Sequence, residues 1–428
     1  MSELTGTGIR YRLDGKGEAT VTGAVGKPYA LAIPSRVGTH VVTGIGDRAF
    51  FQDYLLRHVS LPPTIRYIGE EAFAGAGIER LKVPDGVTSM GRRAFASCGR
   101  LRLASLPGTL TLVPEACFQG CGNLAMLGLG YGIEAIRINA FEGCTSLARV
   151  SLPETVRVVG NLAFACCTHL SAVYLPKSGI ELGEGVFKHC EALSFVAIPT
   201  GTRSIPAWAF FQCSSLSEVS LGEGLLSIGK RAFRGCGSLQ SLEVPKGVTT
   251  IGDEALYGCR SLRLITIPNT VVTIGREAFA WCGSEMTCLC EEGSYAECYC
   301  RGAHLNRRGL FDKGIEDIPR KPLEAESVTL VKNRGQAIEY RVLKRLQVGG
   351  REYAVLTPVE EEFGPVIDAE VYLVRHGGSL CTYEPIPDAS EFTAVGRALD
   401  NEGFLLPAID YIASLEFDCP IGILQTTQ

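Results

Sequence analysis

The 428-residue sequence has few of the features that mark membrane proteins or nucleic-acid-binding proteins. No stretch reaches the roughly 18 consecutive apolar residues of a membrane-crossing helix, although 46% of the residues are hydrophobic. The formal net charge is only -5, from 41 basic and 46 acidic residues. Binding to nucleic acid or to an anionic membrane needs clustered Lys and Arg. The sequence therefore predicts neither membrane insertion nor a nucleic-acid partner.

The common catalytic motifs are also missing. The chain has no phosphate-binding Gly-x-x-x-x-Gly-Lys-Ser/Thr, no His-Glu-x-x-His and no Gly-x-Ser-x-Gly. Its six histidines are scattered along the chain, and His169 and His189, in neighbouring repeats, fall at different register positions, so we expect no shared metal site. We therefore predict a protein that is not an enzyme and that needs no cofactor.

A phenylalanine that returns every 23 residues is the strongest signal in the sequence. One spacing is 22 residues, and one position carries leucine instead. The register residues are Phe50, Phe73, Phe95, Phe118, Phe141, Phe164, Phe187, Phe210, Phe233, Leu256 and Phe279. Self-similarity at this period indicates a solenoid, in which a unit buries its apolar side only when neighbouring units stack against it.

Within one repeat, the pattern predicts a strand, a bend and a turn. Leu242 and Val244 alternate with the polar Glu243, which is typical of a short strand with one buried side, and Pro245 ends it. Stacked copies of this strand should form one long parallel sheet. A glycine marks the bend that follows. We then expect a helical turn that directs the register phenylalanine, such as Phe233, into the core.

Nine cysteines share one position, three residues after the register residue. They are Cys98, Cys121, Cys144, Cys167, Cys190, Cys213, Cys236, Cys259 and Cys282. Because free cysteine is among the most buried residue types, we interpret this ladder as reduced thiols that pack in the core. Reduced thiols are typical of the cytoplasm, and residues 1–13 lack the basic start and apolar core of a signal peptide. We therefore expect a cytoplasmic protein.

The pattern Ile-Gly-x-x-Ala-Phe-x-x-Cys-x-x-Leu-x-x-Val-x-Leu-Pro, over residues 44–283, resembles the BspA-type leucine-rich repeat. The resemblance implies a non-enzymatic solenoid of about eleven 23-residue repeats, with a parallel β-sheet and short helical turns. Residues 1–43 are similar to the strands that cap such arrays, and residues 284–311 are similar to a C-terminal cap. Many members of the family resemble surface adhesins, so an exported adhesin-like protein is an alternative to a cytoplasmic one.

A second domain is expected after the array. Residues 312–326 are irregular in pattern and rich in charge, which indicates a linker. Residues 327–403 alternate apolar and polar residues as short strands do, and a helix is expected over 390–399. The segment therefore predicts a small α+β domain, and residues 404–428 follow it as an apolar tail.

This second domain resembles the YrzB-like bacterial family of unknown function. The resemblance rests on residues 328–330, on 350–356 and on 370–375, where valine, leucine and tyrosine alternate with polar or acidic residues. Members of that family look like cytoplasmic proteins. The resemblance therefore implies a location and no chemistry.

Side chains at the outward positions of the stacked strands are the candidate binding site. The residues that we select are Met126, Arg149, Tyr174, Phe195 and Glu218. Exposed methionine and aromatic side chains in neighbouring coils are typical of protein interfaces. Incidental apolar residues on a half-covered sheet are the alternative, because single exposed apolar residues are common on soluble proteins. We predict a protein-binding scaffold whose partner is unknown.

Four cysteines near the end of the array suggest a second candidate site. Cys288 and Cys290 form one Cys-x-Cys pair, and Cys298 and Cys300 form another. Two such pairs could bind zinc or act in redox chemistry, although structural zinc sites usually have wider ligand spacing. Since Cys288 and Cys290 also fall at inward strand positions of the repeat, packing in the core is our main interpretation.

Overall fold

The structure is a computed structural model in which the chain divides into two compact units, Met1–Asp312 and Lys313–Gln428. The first unit contains the repeats, and the second contains a single antiparallel sheet. The residues that the structure describes are 3–6, 8–303, 306–309, 327–332, 336–348, 350–358, 370–377 and 380–385.

Six strands precede the first repeat and change the pairing from antiparallel to parallel. Ile9–Leu13 pairs antiparallel with Glu18–Ala24, which pairs in parallel with His40–Ile45. Tyr11 on this sheet is fully buried in the same core as the repeats, so the sheet covers the first coil. The six strands are Glu3–Gly6, Ile9–Leu13, Glu18–Ala24, Ala30–Ala32, Arg36–Val37 and His40–Ile45.

The first strand of each repeat lies in parallel with the same strand of its neighbours. As predicted, Leu242 and Val244 are buried while Glu243 is exposed. These strands are His58–Ser60, Arg80–Lys82, Leu103–Ser105, Met126–Gly128, Arg149–Ser151, Ala172–Tyr174, Phe195–Ile198, Glu218–Leu221, Ser241–Glu243, Leu264–Thr266, Thr287–Cys290 and Asn306–Gly309. The stack is divided into several ladders and is not one continuous sheet. Each strand is only three or four residues long, so the loss of one hydrogen bond interrupts the ladder.

A second stack consists of two-residue strands. Its members are Tyr67–Ile68, Ser89–Met90, Leu112–Val113, Ala135–Ile136, Val158–Val159, Glu181–Leu182, Ser204–Ile205, Ser227–Ile228, Thr250–Ile251 and Thr273–Ile274. The glycine that follows each strand in most repeats is required by close approach of the coils. A Cβ at Gly252 would lie 2.6 Å from the main-chain nitrogen of Lys230 in the preceding coil.

The segment around each register residue is a tight turn and not the predicted helical turn. Residues two before and two after the phenylalanine have positive φ, as at Arg231 (φ 56°) and Gly235 (φ 78°). Left-handed residues at this spacing prevent the i to i-4 hydrogen bonds of an α-helix. Instead, the Phe233 N–H donates to the Ala255 carbonyl of the next coil at 2.7 Å. The backbone N–H groups of the turn therefore form hydrogen bonds between coils. In a helix, the same groups would bond within the segment.

The register phenylalanines stack through the centre of the array. The ring centroids of Phe118 and Phe141 are 5.4 Å apart with an interplanar angle of 4°, and the other neighbouring pairs from Phe50 to Phe233 are also stacked. Leu256 interrupts this stack and is itself fully buried. Offset stacking of buried rings adds to the stabilisation from burial alone, so the aromatic column supports the rigidity of the coils.

A short helix closes the last coil. It spans Tyr295–Gly302, and the Ser294 side chain caps it by accepting a hydrogen bond from the Glu297 N–H. Tyr299 on this helix meets the ring of Phe279 edge to face at 5.7 Å. The helix therefore covers the end of the aromatic column. None of the helices in the described residues has the length and apolar character required to cross a membrane.

The described residues of the second unit form a five-stranded antiparallel sheet whose strand order follows the chain. Its strands are Ser327–Lys332, Gln336–Val348, Arg351–Pro358, Glu370–Gly377 and Leu380–Pro385. The first four contain the strands expected from the alternating pattern, and the fifth was not expected. The predicted linker over 312–326, the helix over 390–399 and the apolar tail over 404–428 lie outside the described residues.

Candidate binding surfaces

The outward side chains at the first and third positions of the first strands form a surface that we call the strand face. Each of four predicted binding residues is the first residue of its strand. They are Met126, Arg149, Phe195 and Glu218. Tyr174 is the third residue of its strand and pairs with Ser151, so it lies in a second row. The structure therefore places all five residues on one face but divides them between two rows.

The two apolar side chains of the first row are well exposed. Met126 is 59% exposed and Phe195 is 41% exposed. Arg149 and Tyr174 are half-buried between them. Burial raises the pKa of Tyr174, and the positive charge of Arg149 opposes that rise, so these two side chains interact. The strand face thus combines two apolar contacts with a polar centre.

Small residues separate the larger side chains of the strand face. Ala172 pairs with both Arg149 and Phe195 and so lies between them in the first row. In the second row, Ser151 is the neighbour of Tyr174. Since small side chains leave room beside large ones, a partner can contact the sides of the Phe195 and Tyr174 rings as well as their edges.

A groove of about 550 Å³ lies on another surface of the array. The tight turns around the register residues form this surface, which we call the turn face. Six of the residues that line the groove are Gln212, Arg234, Tyr257, Gly258, Arg260 and Trp281. The groove was not predicted from the sequence, because the segments that line it were expected to be helical turns. The available signal was the glycine two residues after Leu256, where a missing side chain opens the surface.

Each thiol of the cysteine ladder donates a hydrogen bond to a main-chain carbonyl of the preceding coil. The Cys213 thiol donates to the Phe187 carbonyl at 3.1 Å, and equivalent bonds run from Cys98 to Cys282. Burial raises the pKa of Cys167 and of Cys213 to about 12. These thiols stay protonated at neutral pH, which supports their interpretation as packing groups.

The four cysteines near the C-terminal cap do not converge on one point. Cys288, Cys290 and Cys300 are buried, whereas Cys298 is exposed. The hydrogen bond with Cys300, together with burial, raises the pKa of the Cys288 thiol. Within the described part of the chain, no group of three or more His, Cys, Asp or Glu side chains is arranged to hold a metal ion. The geometry fits packing of Cys288 and Cys290 against Cys300 of the cap helix.

The repeat pattern is shared with a known protein family. Residues 43–171 and 159–285 match the family described as BspA type leucine rich repeat region, in six copies, and these residues are more than half of the 428 in the chain. The chain belongs to the BspA-type leucine-rich repeat family. The match confirms the repeat assignment made from the phenylalanine and cysteine registers. No catalytic family is among the matches.

The BspA-type array is also similar to solved structures of leucine-rich repeat proteins. A leucine-rich repeat protein from Bacteroides ovatus is 24% identical, with a TM-score of 0.51, and the match covers 72% of this chain and 99% of that one. This likeness confirms the solenoid fold. A leucine rich cell surface protein from Faecalibacterium prausnitzii is 24% identical, with a TM-score of 0.40 and coverage of 70% and 97%. The pneumococcal vaccine antigen PcpA is 19% identical, with a TM-score of 0.45 and coverage of 72% and 98%.

A separate match lies beyond the BspA-type repeats. Residues 333–402 match the family described as Protein of unknown function (DUF1292). The match confirms a C-terminal domain of unknown function, and the more specific resemblance to the YrzB-like family stays a prediction. Comparison with curated proteins found no match.

Proposed function

We propose that the BspA-type array is a scaffold that binds another protein through its strand face. The observation that carries the proposal is the exposure of Met126 (59%) and Phe195 (41%) in one row of a rigid stack. Neighbouring parallel strands are about 4.8 Å apart, so these two side chains, three coils apart, are separated by roughly 14 Å. That separation lets one partner surface contact both of them.

The polar residues of the strand face give the proposed site an orientation. Arg149 lies between the two apolar side chains along the row, and Glu218 pairs directly with Phe195 on the far side. A positive centre with a negative end favours a partner with the opposite arrangement of charge. The stacked phenylalanines beneath the face hold the strands in place, so little ordering is needed on binding.

Capture and affinity measurement with a double variant test the proposal. Met126→Ser with Phe195→Ser removes both apolar contacts from exposed positions, where substitution has little effect on folding. A partner captured with the intact chain and identified by cross-linking at the strand face should bind the double variant at least about tenfold more weakly. Tyr174→Ala with Phe195→Ala should act in the same direction.

Val272→Ser is the matched control for this experiment. Val272 is apolar and 62% exposed, but it immediately precedes a strand of the second stack. It should leave the captured partner and its affinity unchanged. If the Met126/Phe195 double variant bound every captured partner as tightly as Val272→Ser does, the strand face would not be the binding site.

We also propose that the protein acts in the cytoplasm. The cysteine ladder supports this location, because each ladder thiol uses its hydrogen in a bond to a backbone carbonyl and a disulfide sulfur has no hydrogen to donate. Such bonds persist in a reducing compartment. Fractionation of the producing cells checks the proposal. Recovery from the cell surface would favour the adhesin-like alternative, and recovery only with soluble proteins would exclude it.

A further inference from the structure

The turn-face groove differs from the strand face in how it is built. Gln212, Gly235, Gly258 and Trp281 occupy the same position in four consecutive coils, two residues after the register residue. The Gln212 side chain lies over Gly235, where its amide nitrogen would be 2.6 Å from an added Cβ, whereas a Cβ at Gly258 would meet only the Gly235 backbone, at 3.9 Å. The surface is therefore open between the Gln212 side chain and Trp281. Two coil spacings of about 4.8 Å, from Gly235 to Trp281, make this opening roughly 10 Å long. An extended peptide rises about 3.4 Å per residue, so about three residues fit.

Aromatic and guanidinium groups form the sides of the groove. The Arg234 guanidinium lies 4.1 Å from the centroid of the Tyr257 ring. Trp281 stands at one end and is 73% exposed. Its backbone is left-handed, with φ 58°, in a row where several other coils have glycine. Tryptophan, tyrosine and arginine are the residues that contribute most to binding at protein interfaces.

The charge of the groove is positive. Arg231 and Arg234 both form ion pairs with the single carboxylate of Glu254, which leaves one positive charge in excess. Arg260 is exposed, and no carboxylate among the described residues lies within ion-pair distance of it. Among the described residues, none of those that line the groove is acidic. Arginine recognises carboxylates through paired hydrogen bonds, so the charge complements an acidic ligand.

We propose that the turn-face groove is a second binding site, and that it takes an extended, acidic segment of a partner protein. The segment carries one aromatic side chain, which packs against Trp281, and carboxylates that bind Arg260 and Arg234. Gly258 lets its backbone approach the floor of the groove. This site is independent of the strand face.

Defined peptides test the proposal on the full chain. The probes are blocked tripeptides with one aromatic and two acidic residues in each order, and matched peptides in which lysine replaces the acidic residues. Titration calorimetry and tryptophan fluorescence report binding. At least one acidic peptide should bind, and added salt should weaken its binding. No lysine peptide should bind. Trp281→Ala and Arg260→Gln should each weaken binding by about tenfold.

Filling the groove gives a sharper variant with a matched control. Gly237 lines the groove, its φ is not in the left-handed region, and a Cβ built there meets no atom within 4 Å. Gly237→Phe should therefore fold normally and abolish peptide binding. Gly99 occupies the same position, one residue after the ladder cysteine, in an earlier coil, and its Cβ would also meet nothing within 4 Å. Gly99→Phe should leave binding unchanged.

Several results would overturn the proposal. One is the absence of binding by every acidic peptide at millimolar concentration. Another is equal binding by lysine peptides, or binding that survives Gly237→Phe while circular dichroism shows a folded chain. Preferential binding of an acidic oligosaccharide or a nucleotide over all peptides would assign the groove to another class of ligand. The Met126→Ser, Phe195→Ser double variant should keep peptide binding, so failure of one site is distinguishable from failure of the other.

Discussion

The thiol of Cys213 donates a hydrogen bond to the carbonyl oxygen of Phe187 in the preceding coil, at a distance of 3.1 Å. Equivalent bonds recur along the ladder at 3.1 to 3.3 Å. The same cysteine is fully buried among the apolar side chains of the core. The ladder therefore connects each coil to its neighbour through a side chain as well as through the backbone.

Cys213→Ala should destabilise the array by about 1 to 2 kcal/mol. It removes the thiol donor and leaves a small cavity beside the Phe187 carbonyl. The shift in the midpoint of urea unfolding measures the effect. Cys298→Ala, at an exposed cysteine, is the control and should change stability by less than about 0.5 kcal/mol. Equal midpoints for the two variants would show that the hydrogen bond of the Cys213 thiol does not stabilise the array.

Native thiols should react with iodoacetamide in an order set by exposure and pKa. Cys298 is exposed and should be labelled first. Cys282 is half-buried, and its interaction with the Cys259 side chain lowers the pKa of its thiol, so it should follow. Cys190 and Cys213 should stay unlabelled until the chain unfolds, because burial raises the pKa of both thiols. Mass spectrometry of a labelling time course gives the order, and early labelling of Cys190 would contradict it.

The stability of the array should fall as the pH rises above 9. Burial raises the pKa of Cys167 and Cys213 from 9.0 to about 12, so the folded state retains protons that the unfolded chain releases. Their contribution to stability is complete below the unfolded pKa and is lost as the pH rises through the folded value. Urea unfolding at a series of pH values measures the slope. Cys213→Ala should flatten it, and an unchanged slope in that variant would show another group to be responsible.

Phe141→Ala should cost about 3 to 5 kcal/mol of stability, because it opens a cavity in the aromatic column. Phe141→Leu should cost much less, about 1.5 kcal/mol or below. Leucine is already accommodated at the same register position by the fully buried Leu256. The difference between the two midpoints of urea unfolding separates the loss of volume from the loss of ring stacking. Similar midpoints for the two variants would show that the lost side-chain volume is not the main cause of the destabilisation.

Gly252→Ala should destabilise the array more than Gly237→Ala does. A Cβ at Gly252 would lie 2.6 Å from the Lys230 main-chain nitrogen, so the coils must separate, whereas a Cβ at Gly237 meets nothing within 4 Å. We expect Gly252→Ala to lower the free energy of unfolding by at least about 2 kcal/mol and Gly237→Ala to lower it by less than about 0.5 kcal/mol. These values are in the usual range for substitutions at strained and at open sites. Thermal unfolding of both variants provides the comparison, and equal melting temperatures would be evidence against close coil packing at Gly252.

Much of the fold could be predicted because the core of each repeat is made by residues at fixed positions. The register phenylalanines, the ladder cysteines other than the half-buried Cys282, and the alternating Leu242 and Val244 are buried as expected. The strand-face residues were also found, since alternation along a strand decides which side chains point outward. The division of these residues into two rows was not predicted. It depends on where each strand begins, which places Tyr174 third in its strand and Phe195 first.

The sequence by itself determined the repeat length, the inward residues and the separate C-terminal domain, because burial of periodic apolar side chains leaves few alternatives. The tertiary structure alone decided the backbone of the turns. Arg231 adopts a positive φ against its intrinsic preference because its N–H bonds to the Asp253 carbonyl of the next coil at 2.9 Å. Such bonds join residues about one repeat apart, so local propensity does not report them. The groove between Gln212 and Trp281 follows from those turns, and it exists only once the coils are stacked.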